Sequence, residues 1–261
     1  MRRRKRASTR WKGSTVVFAL LFILSSGMLI RDLARSAGEQ AANEALVQRV
    51  VSPAPGSETA ETNSGHPVSP QTSAPERNYQ PLVQENSHLA AWLTIEGTEV
   101  DYPVLYTPDD PEYYLRKAFD GSYALSGSLF IGANCFPDGS NIIIYGHKMK
   151  DGTMFGSLDA YVDEEYAKAH SEIIYDLIQP DGSYERLTFE VMAVFYSRVY
   201  KVKEANVFRY YYGTDLSDAE DFQNYVEEAL SASLYDLGVT AEYGDRLLTL
   251  STCSYHTEDG R

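Results

Sequence analysis

The 261-residue chain has little cysteine and, over most of its length, few basic residues. Its two cysteines exclude a disulfide-stapled mini-protein, because such folds need several bridges. It carries 23 Lys and Arg against 37 Asp and Glu, a formal net charge of −14. This balance excludes a nucleic-acid binder that neutralises phosphates with clustered basic side chains. Since 43% of the residues are hydrophobic, the chain has enough apolar surface for a folded, acidic domain.

The scarce basic residues are concentrated at the N-terminus. Seven of the 23 lie in residues 1–12, so residues 13–261 carry 16 basic against 37 acidic side chains. The stretch that follows, Gly13 to Ile30, is uncharged and apolar, and as a helix it would span about 27 Å, close to the roughly 30 Å hydrocarbon core of a membrane. We predict a cytoplasmic flank at 1–12 and a single-pass signal anchor at 13–30, with the remainder outside the cell. The alternatives are a buried core helix and a signal peptide cleaved near Ala34–Ser36.

Aromatic residues are absent from 31–78, whereas all twenty tyrosines lie from Tyr79 onward. Asp32 to Val51 is rich in Ala, Glu, Gln and Leu, a composition compatible with a helix. Residues 52–76 are a mixture of Pro, Ser and Thr that cannot bury a core. We therefore predict a spacer at 31–77, helical and then Pro/Ser/Thr-rich, which holds a globular domain at 78–261 away from the membrane.

Short apolar runs after residue 78 predict a mixed, mostly β domain. Two runs separated by Glu96-Gly97 indicate a β-hairpin, and one segment with apolar residues at helical spacing indicates an amphipathic helix, with Ser217 and Glu220 as its capping box. The predicted strands are Ala91–Ile95, Val100–Leu105, Ser128–Ile131, Asn141–Tyr145, Leu187–Tyr196 and Leu247–Ser251, and the predicted helix is Ser217–Leu234.

Three residues that could take part in a reaction lie at or beyond the ends of predicted strands. Cys253 and His147 each come just after an apolar run, and Arg261 lies eight residues beyond the cysteine. A thiolate nucleophile, an imidazole proton donor and a fixed cation for an oxyanion are the parts of covalent acyl transfer. Spacing alone leaves the alternatives open, because a lone Cys is often a small buried hydrophobe and a lone His is often structural.

Several segments resemble the class B sortases. The run from Asn141 to Leu158 looks like the histidine segment of that family, and Thr249-Leu-Ser-Thr-Cys253 resembles the signature that precedes its nucleophile. The resemblance covers Asn86 to Arg261 in the family's order. The segments similar to the family's opening strands are Trp92–Ile95, Val100–Val104, Tyr113–Leu115 and Ser126–Phe130.

The resemblance implies a mostly β fold with helices. We expect a sortase-type eight-stranded β-barrel with an N-terminal helix and with the helix at Ser217–Leu234 between strands six and seven. Family members continue past the arginine into a final strand, whereas this sequence stops at Arg261. Either the sequence is truncated after Arg261, or the barrel lacks that strand.

The resemblance also implies a membrane-anchored cysteine transpeptidase on the outer face of a Gram-positive bacterium. Cys253 would attack the Thr carbonyl of a C-terminal sorting motif on a secreted protein and form a thioester. An amine of a cell-wall precursor or a pilin lysine would resolve it. His147 would transfer the protons, Arg261 would hold the substrate carbonyl and its oxyanion, and Ser251 and Thr252 would have supporting roles. No cofactor, metal or nucleic acid is expected.

Other interpretations compete with this one. An L,D-transpeptidase would show a His-Gly-Cys type motif, and a papain-like peptidase usually places Cys before His; a catalytically inactive, tethered binding domain is a third alternative. His256 is a competing base because it is close to Cys253 in sequence, but no motif supports it. Cys135 is expected to be a structural thiol. The acidic clusters at 109–110, 163–165 and 218–221 are expected to be solvated faces, since they lack the pattern of a calcium loop.

Overall fold

The computed structural model describes residues 9–51, 76–253 and 260–261, with side chains described from residue 17 onward. The chain divides into two units, Met1–Ala42 and Asn43–Arg261. Helix α1 (Thr9–Val51) makes up the described part of the first unit, and its last nine residues belong to the second. The apolar side chains of its first half are exposed. Among the described residues, α1 is the one helix long and apolar enough to cross a membrane by length and composition.

The second unit is built on seven strands. Its elements are α2 (Gln80–Glu85), β1 (Leu89–Thr94), β2 (Asp101–Leu105), β3 (Leu129–Ile131), β4 (Asn141–Tyr145), α3 (Glu164–Ala169), β5 (Glu172–Ile178), β6 (Tyr184–Glu190), α4 (Ala219–Ala232) and β7 (Leu247–Ser251). Single 3₁₀ segments lie at Tyr113–Arg116, Gly156–Val162 and Tyr210–Tyr212. The predicted hairpin forms between β1 and β2, and its turn contains Gly97 at a φ of 77°, a conformation that favours glycine.

The strands form one sheet in the order β6-β5-β1-β2-β3-β4-β7. The β2–β3 and β4–β7 pairs are parallel and the other pairs are antiparallel. Residues 191–197 after β6 and the edge strand β7 both line a cavity of about 740 Å³. The predicted β-barrel is confirmed as a nearly closed barrel of seven strands among the described residues, and α4 lies between the sixth and seventh strands as predicted.

Two local predictions are wrong. The predicted strand Leu187–Tyr196 ends at Glu190, because the residues beyond it have no partner strand in the described part of the chain. The N-cap of α4 is Asp218 rather than Ser217: the Asp218 carboxylate accepts hydrogen bonds from the backbone N–H groups of the second and third helical residues. Asp163 caps α3 in the same way, so two of the acidic clusters supply helix caps.

The last two turns of α1 pack onto the barrel. Leu46 is 7% exposed and Val50 1% exposed, in a cluster that contains Tyr79, Leu82 and Trp92. The backbone carbonyl of Val50 accepts a 2.8 Å hydrogen bond from the N–H of Asn78. Residues 52–75 of the predicted spacer lie outside the described residues. The hydrogen bond places Val50 and Asn78, on either side of this segment, next to each other.

A buried carboxylate on β5 links the chain near Tyr79 to strands β5 and β6. Asp176 on β5 accepts a 2.7 Å hydrogen bond from the Tyr79 hydroxyl and two bonds, of 2.7 and 2.8 Å, from the Arg186 guanidinium on β6. Burial raises the pKa of Tyr79, and the charge of Asp176 raises it further, so the tyrosine remains a neutral donor. Each oxygen of the buried carboxylate therefore has a partner.

Candidate active site

The parallel pairing of β4 and β7 brings two predicted site residues to one edge of the sheet. Tyr145, the last residue of β4, is in register with Ser251, the last residue of β7. His147 and Cys253 each follow their strand by two residues. Because parallel neighbours lie about 4.8 Å apart and end at the same edge, the segments that carry His147 and Cys253 leave the sheet side by side.

Backbone and hydroxyl contacts hold these two strand ends together. The N–H of Gly146 donates a 3.1 Å hydrogen bond to the carbonyl of Ser251, and the hydroxyl of Thr252 donates a 2.8 Å bond to the carbonyl of Gly146. Thr252 thus links the residue before the histidine to the residue before the cysteine. This contact gives the predicted supporting residue Thr252 a physical task, which is to fix the spacing of the two segments.

His147 is half-buried, and a backbone carbonyl outside β4 and β7 holds its imidazole. Its Nε2 lies 2.8 Å from the carbonyl oxygen of Leu115, so the neutral tautomer consistent with this contact carries its proton on Nε2 and leaves Nδ1 open. Burial lowers the pKa of His147 below its ordinary value of 6.5; the hydrogen bond to Leu115 opposes this shift and the charge of Arg116 adds to it. The imidazole is therefore neutral at neutral pH.

Arg261 reaches the thiol directly. Its Nη1 lies 3.6 Å from the Sγ of Cys253 and 3.2 Å from the carbonyl of Gly260. The backbone of Arg261 exchanges two hydrogen bonds with Ser197, of 2.8 and 2.7 Å, which fixes the base of this long side chain. A guanidinium in this position stabilises negative charge that develops on the sulfur or on an oxygen bound beside it.

Ser251 is buried and has a partner that the sequence analysis does not predict. Its Oγ lies 2.7 Å from the hydroxyl of Tyr210, which is 3% exposed and belongs to the connection between β6 and α4. A second link lies two residues earlier on β7, where the Thr249 hydroxyl donates a 3.1 Å bond to the side-chain oxygen of Asn141. The only sequence signal at this place is the run of three tyrosines at 210–212.

The structure keeps the remaining candidates away from this edge or does not describe them. Cys135 is 2% exposed, and burial raises the pKa of its thiol, in keeping with the predicted structural role. The competing base His256 lies outside the described residues. Within the described ranges, no group of three or more His, Cys, Asp or Glu side chains is placed to hold a metal ion.

Known proteins with similar sequences and structures identify the family. No protein-family model matches the chain. It is 36% identical over 177 residues to sortase B of Listeria monocytogenes, an alignment that covers 66% of this chain and 65% of that protein. The crystal structure of Clostridium perfringens sortase B matches with a TM-score of 0.59 at 31% identity, over 69% of this chain and 93% of that one. The chain belongs to the class B sortases.

A class B sortase solved as a substrate complex extends the comparison. This structure, the Staphylococcus aureus sortase B–substrate complex, matches with a TM-score of 0.57 at 25% identity, over 70% of our sortase and 80% of that chain. The barrel and the order of its elements are therefore those of the family. The expectation from the resemblance is confirmed at the level of family and fold.

Proposed function

We propose that this sortase is a membrane-anchored cysteine transpeptidase with Cys253 as nucleophile. The observation that carries the proposal is the contact between the Arg261 guanidinium and the Cys253 sulfur, at 3.6 Å, beside the strand end that presents His147. A nucleophile, a proton carrier and a cation for an oxyanion thus meet at one edge of the barrel. The substrate class follows from the family: a secreted protein with a C-terminal sorting motif that is cleaved after Thr.

In the first half of the reaction, the proton of the Cys253 thiol passes to Nδ1 of the neutral His147, and the resulting thiolate attacks the carbonyl carbon of the Thr and forms a C–S bond. The negative charge moves to the carbonyl oxygen, where the guanidinium of Arg261 stabilises it. The C–N bond to the next residue then breaks, and His147 donates a proton to the departing amine. The products are a thioester on Cys253, the released C-terminal segment and a neutral imidazole.

In the second half, an amine of a cell-wall precursor or a pilin lysine attacks the thioester carbonyl. His147 accepts a proton from this amine while the new amide bond forms and the C–S bond to Cys253 breaks. Water in place of the amine would give a free carboxylic acid, so the enzyme would act as a hydrolase without an acceptor. The hydrogen bond from Nε2 to Leu115 leaves Nδ1 as the nitrogen for both transfers.

Ser251 and Thr252 have supporting roles in this proposal. Thr252 fixes the spacing between the histidine and cysteine segments through its bond to Gly146. The Ser251 hydroxyl, held by Tyr210, lies two residues before the nucleophile in the wall of the cavity. Neither group supplies a proton or a bond to the reaction as written.

The proposed location is the cell membrane of a Gram-positive bacterium. The exposed apolar side chains of α1 suit a lipid environment, and the seven basic residues that precede its apolar stretch favour a cytoplasmic N-terminus. The catalytic domain would then lie outside the cell, where its secreted substrates and wall acceptors are found. Residues 1–12, 13–30 and 31–77 keep their proposed assignments as flank, anchor and spacer.

Mass spectrometry of the enzyme mixed with sorting-motif peptides tests the proposal. We expect the full chain in detergent to gain the mass of the acyl fragment on Cys253, and hydroxylamine to remove it. Cys253→Ala is expected to form no adduct. Failure of every peptide to acylate the protein, or an adduct that persists in Cys253→Ala, would overturn the proposal. His147→Ala and Arg261→Ala are each expected to lower turnover by orders of magnitude.

A further inference from the structure

Ser197 lies directly opposite Arg261. The two residues exchange both backbone hydrogen bonds, and the neighbouring Arg198 and Gly260 form the antiparallel bridge. Side chains of such a directly opposed pair stand on the same face. Since the Arg261 side chain reaches the Cys253 sulfur, the hydroxyl of Ser197 stands on the face that carries the nucleophile.

The hydroxyl of Ser197 is buried without a partner. The residue is 5% exposed, and among the described residues its Oγ has no hydrogen-bond partner. Such a group has lost its contact with water and gained nothing in exchange, which destabilises the free protein. An unsatisfied buried hydroxyl in a native protein calls for an explanation, and a bound molecule that completes the hydrogen bond is one such explanation.

Ser197 also lines the cavity of about 740 Å³, together with Arg261, Ser251 and Thr252. The two serines of this wall differ in one respect. Ser251 already shares a hydrogen bond with Tyr210, whereas the Ser197 hydroxyl has its donor and its acceptors unused among the described residues. An incoming group that can both donate and accept, such as a peptide unit, would satisfy it.

We propose that Ser197 is a substrate-binding residue whose hydroxyl hydrogen-bonds a main-chain peptide group of the acyl-donor peptide next to the scissile bond. This inference rests on the proposed function and names a contact within it. Because Ser197 is fixed to Arg261 through the backbone, a peptide bound to this hydroxyl is held in register with the guanidinium. The bond is made to the bound peptide before the chemistry begins, so it affects binding more than turnover.

Steady-state kinetics of the full chain in detergent test this contact, with a sorting-motif peptide that acylates the wild-type enzyme. We expect Ser197→Ala to raise KM about threefold to tenfold with kcat nearly unchanged, the effect of one lost neutral hydrogen bond. Ser197→Thr keeps the hydroxyl and is expected to retain most of the affinity. The melting temperature of Ser197→Ala should not fall, because the variant removes an unsatisfied group.

Ser157→Ala is the matched control. Ser157 is the other buried hydroxyl without a partner in the described part of the chain, and it does not line the cavity. Its substitution is expected to leave KM unchanged. An unchanged KM in Ser197→Ala, or a lowered melting temperature as its only effect, would refute the contact while acylation of the wild type upholds the proposed function. If no peptide acylates the wild type, both proposals fall.

Discussion

The docking of the α1 C-terminus on the barrel makes a quantitative prediction about stability. Leu46 is 7% exposed and packs in the same cluster as Trp92. Leu46→Ala removes about three carbons from this cluster, at about 0.8 kcal/mol each, and leaves part of a cavity behind. The side chain lies near the end of a helix at the surface of the unit, where neighbours can relax. We therefore expect the free energy of unfolding to fall by about 2–4 kcal/mol.

Urea unfolding of a fragment of residues 43–261 measures this change. Trp92 is the fragment's single tryptophan and is fully buried in the same cluster as Leu46, so its fluorescence reports on the packing of that cluster. Val51→Ala is the control, because Val51 is 40% exposed on the next turn of the same helix, and we expect a change within about 0.5 kcal/mol. The dependence of the unfolding free energy on urea should stay the same in both variants.

The result that would refute this reasoning is a Leu46→Ala variant as stable as Val51→Ala. The helix end would then contribute nothing to the barrel, and the cluster around Trp92 would be complete without it. The exposed ion pair between Arg49 and Glu85, at 2.7 Å, cannot substitute for the apolar contact, because pairs of this kind contribute only about 0–1 kcal/mol.

Three further predictions concern buried polar groups. Asp176→Asn is expected to lower the free energy of unfolding by about 2–3 kcal/mol, because the partly exposed arginine loses its charged partner. Asp181→Asn, at an exposed turn, should have a much smaller effect. Tyr210→Phe leaves the buried Ser251 hydroxyl unpaired and should lower the free energy of unfolding in urea by about 1 kcal/mol. Tyr212 is 69% exposed, so Tyr212→Phe should not change this free energy measurably. Burial lowers the pKa of His147 in the folded state, so the unfolded chain binds the proton more tightly. The free energy of unfolding should therefore fall as the pH drops from 6.5 through the lower pKa of the folded state. His147→Gln should remove this pH-dependent component.

Equal losses in a variant and its control would contradict the first two of these predictions, since both depend on burial. For the histidine, identical stability profiles of wild type and His147→Gln between pH 7.5 and about 5 would show that its burial has no energetic consequence.

The strands that hold the candidate site were predictable to the residue. Asn141–Tyr145 and Leu247–Ser251 are apolar runs that the structure reproduces as β4 and β7 with the same bounds. The two strands pair with each other at all five positions, so local pattern and tertiary pairing agree. The sequence could not show where pairing stops after Glu190, because a strand ends where its neighbour ends and not where alternation ends.

Two features were beyond local pattern. The strand β5 was not predicted, because Asp176 interrupts its apolar run. Tyr79, 97 residues away, and Arg186 on the next strand make a buried carboxylate tolerable there. Tyr210 reaches Ser251 across 41 residues of sequence, so its role depends on how the connection to α4 folds back. By contrast, the adjacency of the segments that carry His147 and Cys253 follows from two strand ends and a parallel pairing.

The 2.8 Å hydrogen bond between Val50 and Asn78 makes the stability of the fold depend little on the number of residues between them. The two ends of this segment are fixed at one point, so its length enters the stability of the fold only through the entropy of loop closure. Doubling the number of residues would cost only about 0.6 kcal/mol. Moderate insertions or deletions between Val51 and Glu76 should therefore leave the helix end seated on the barrel. Selection can reshape this stretch of sequence independently of the enzyme to which it is attached.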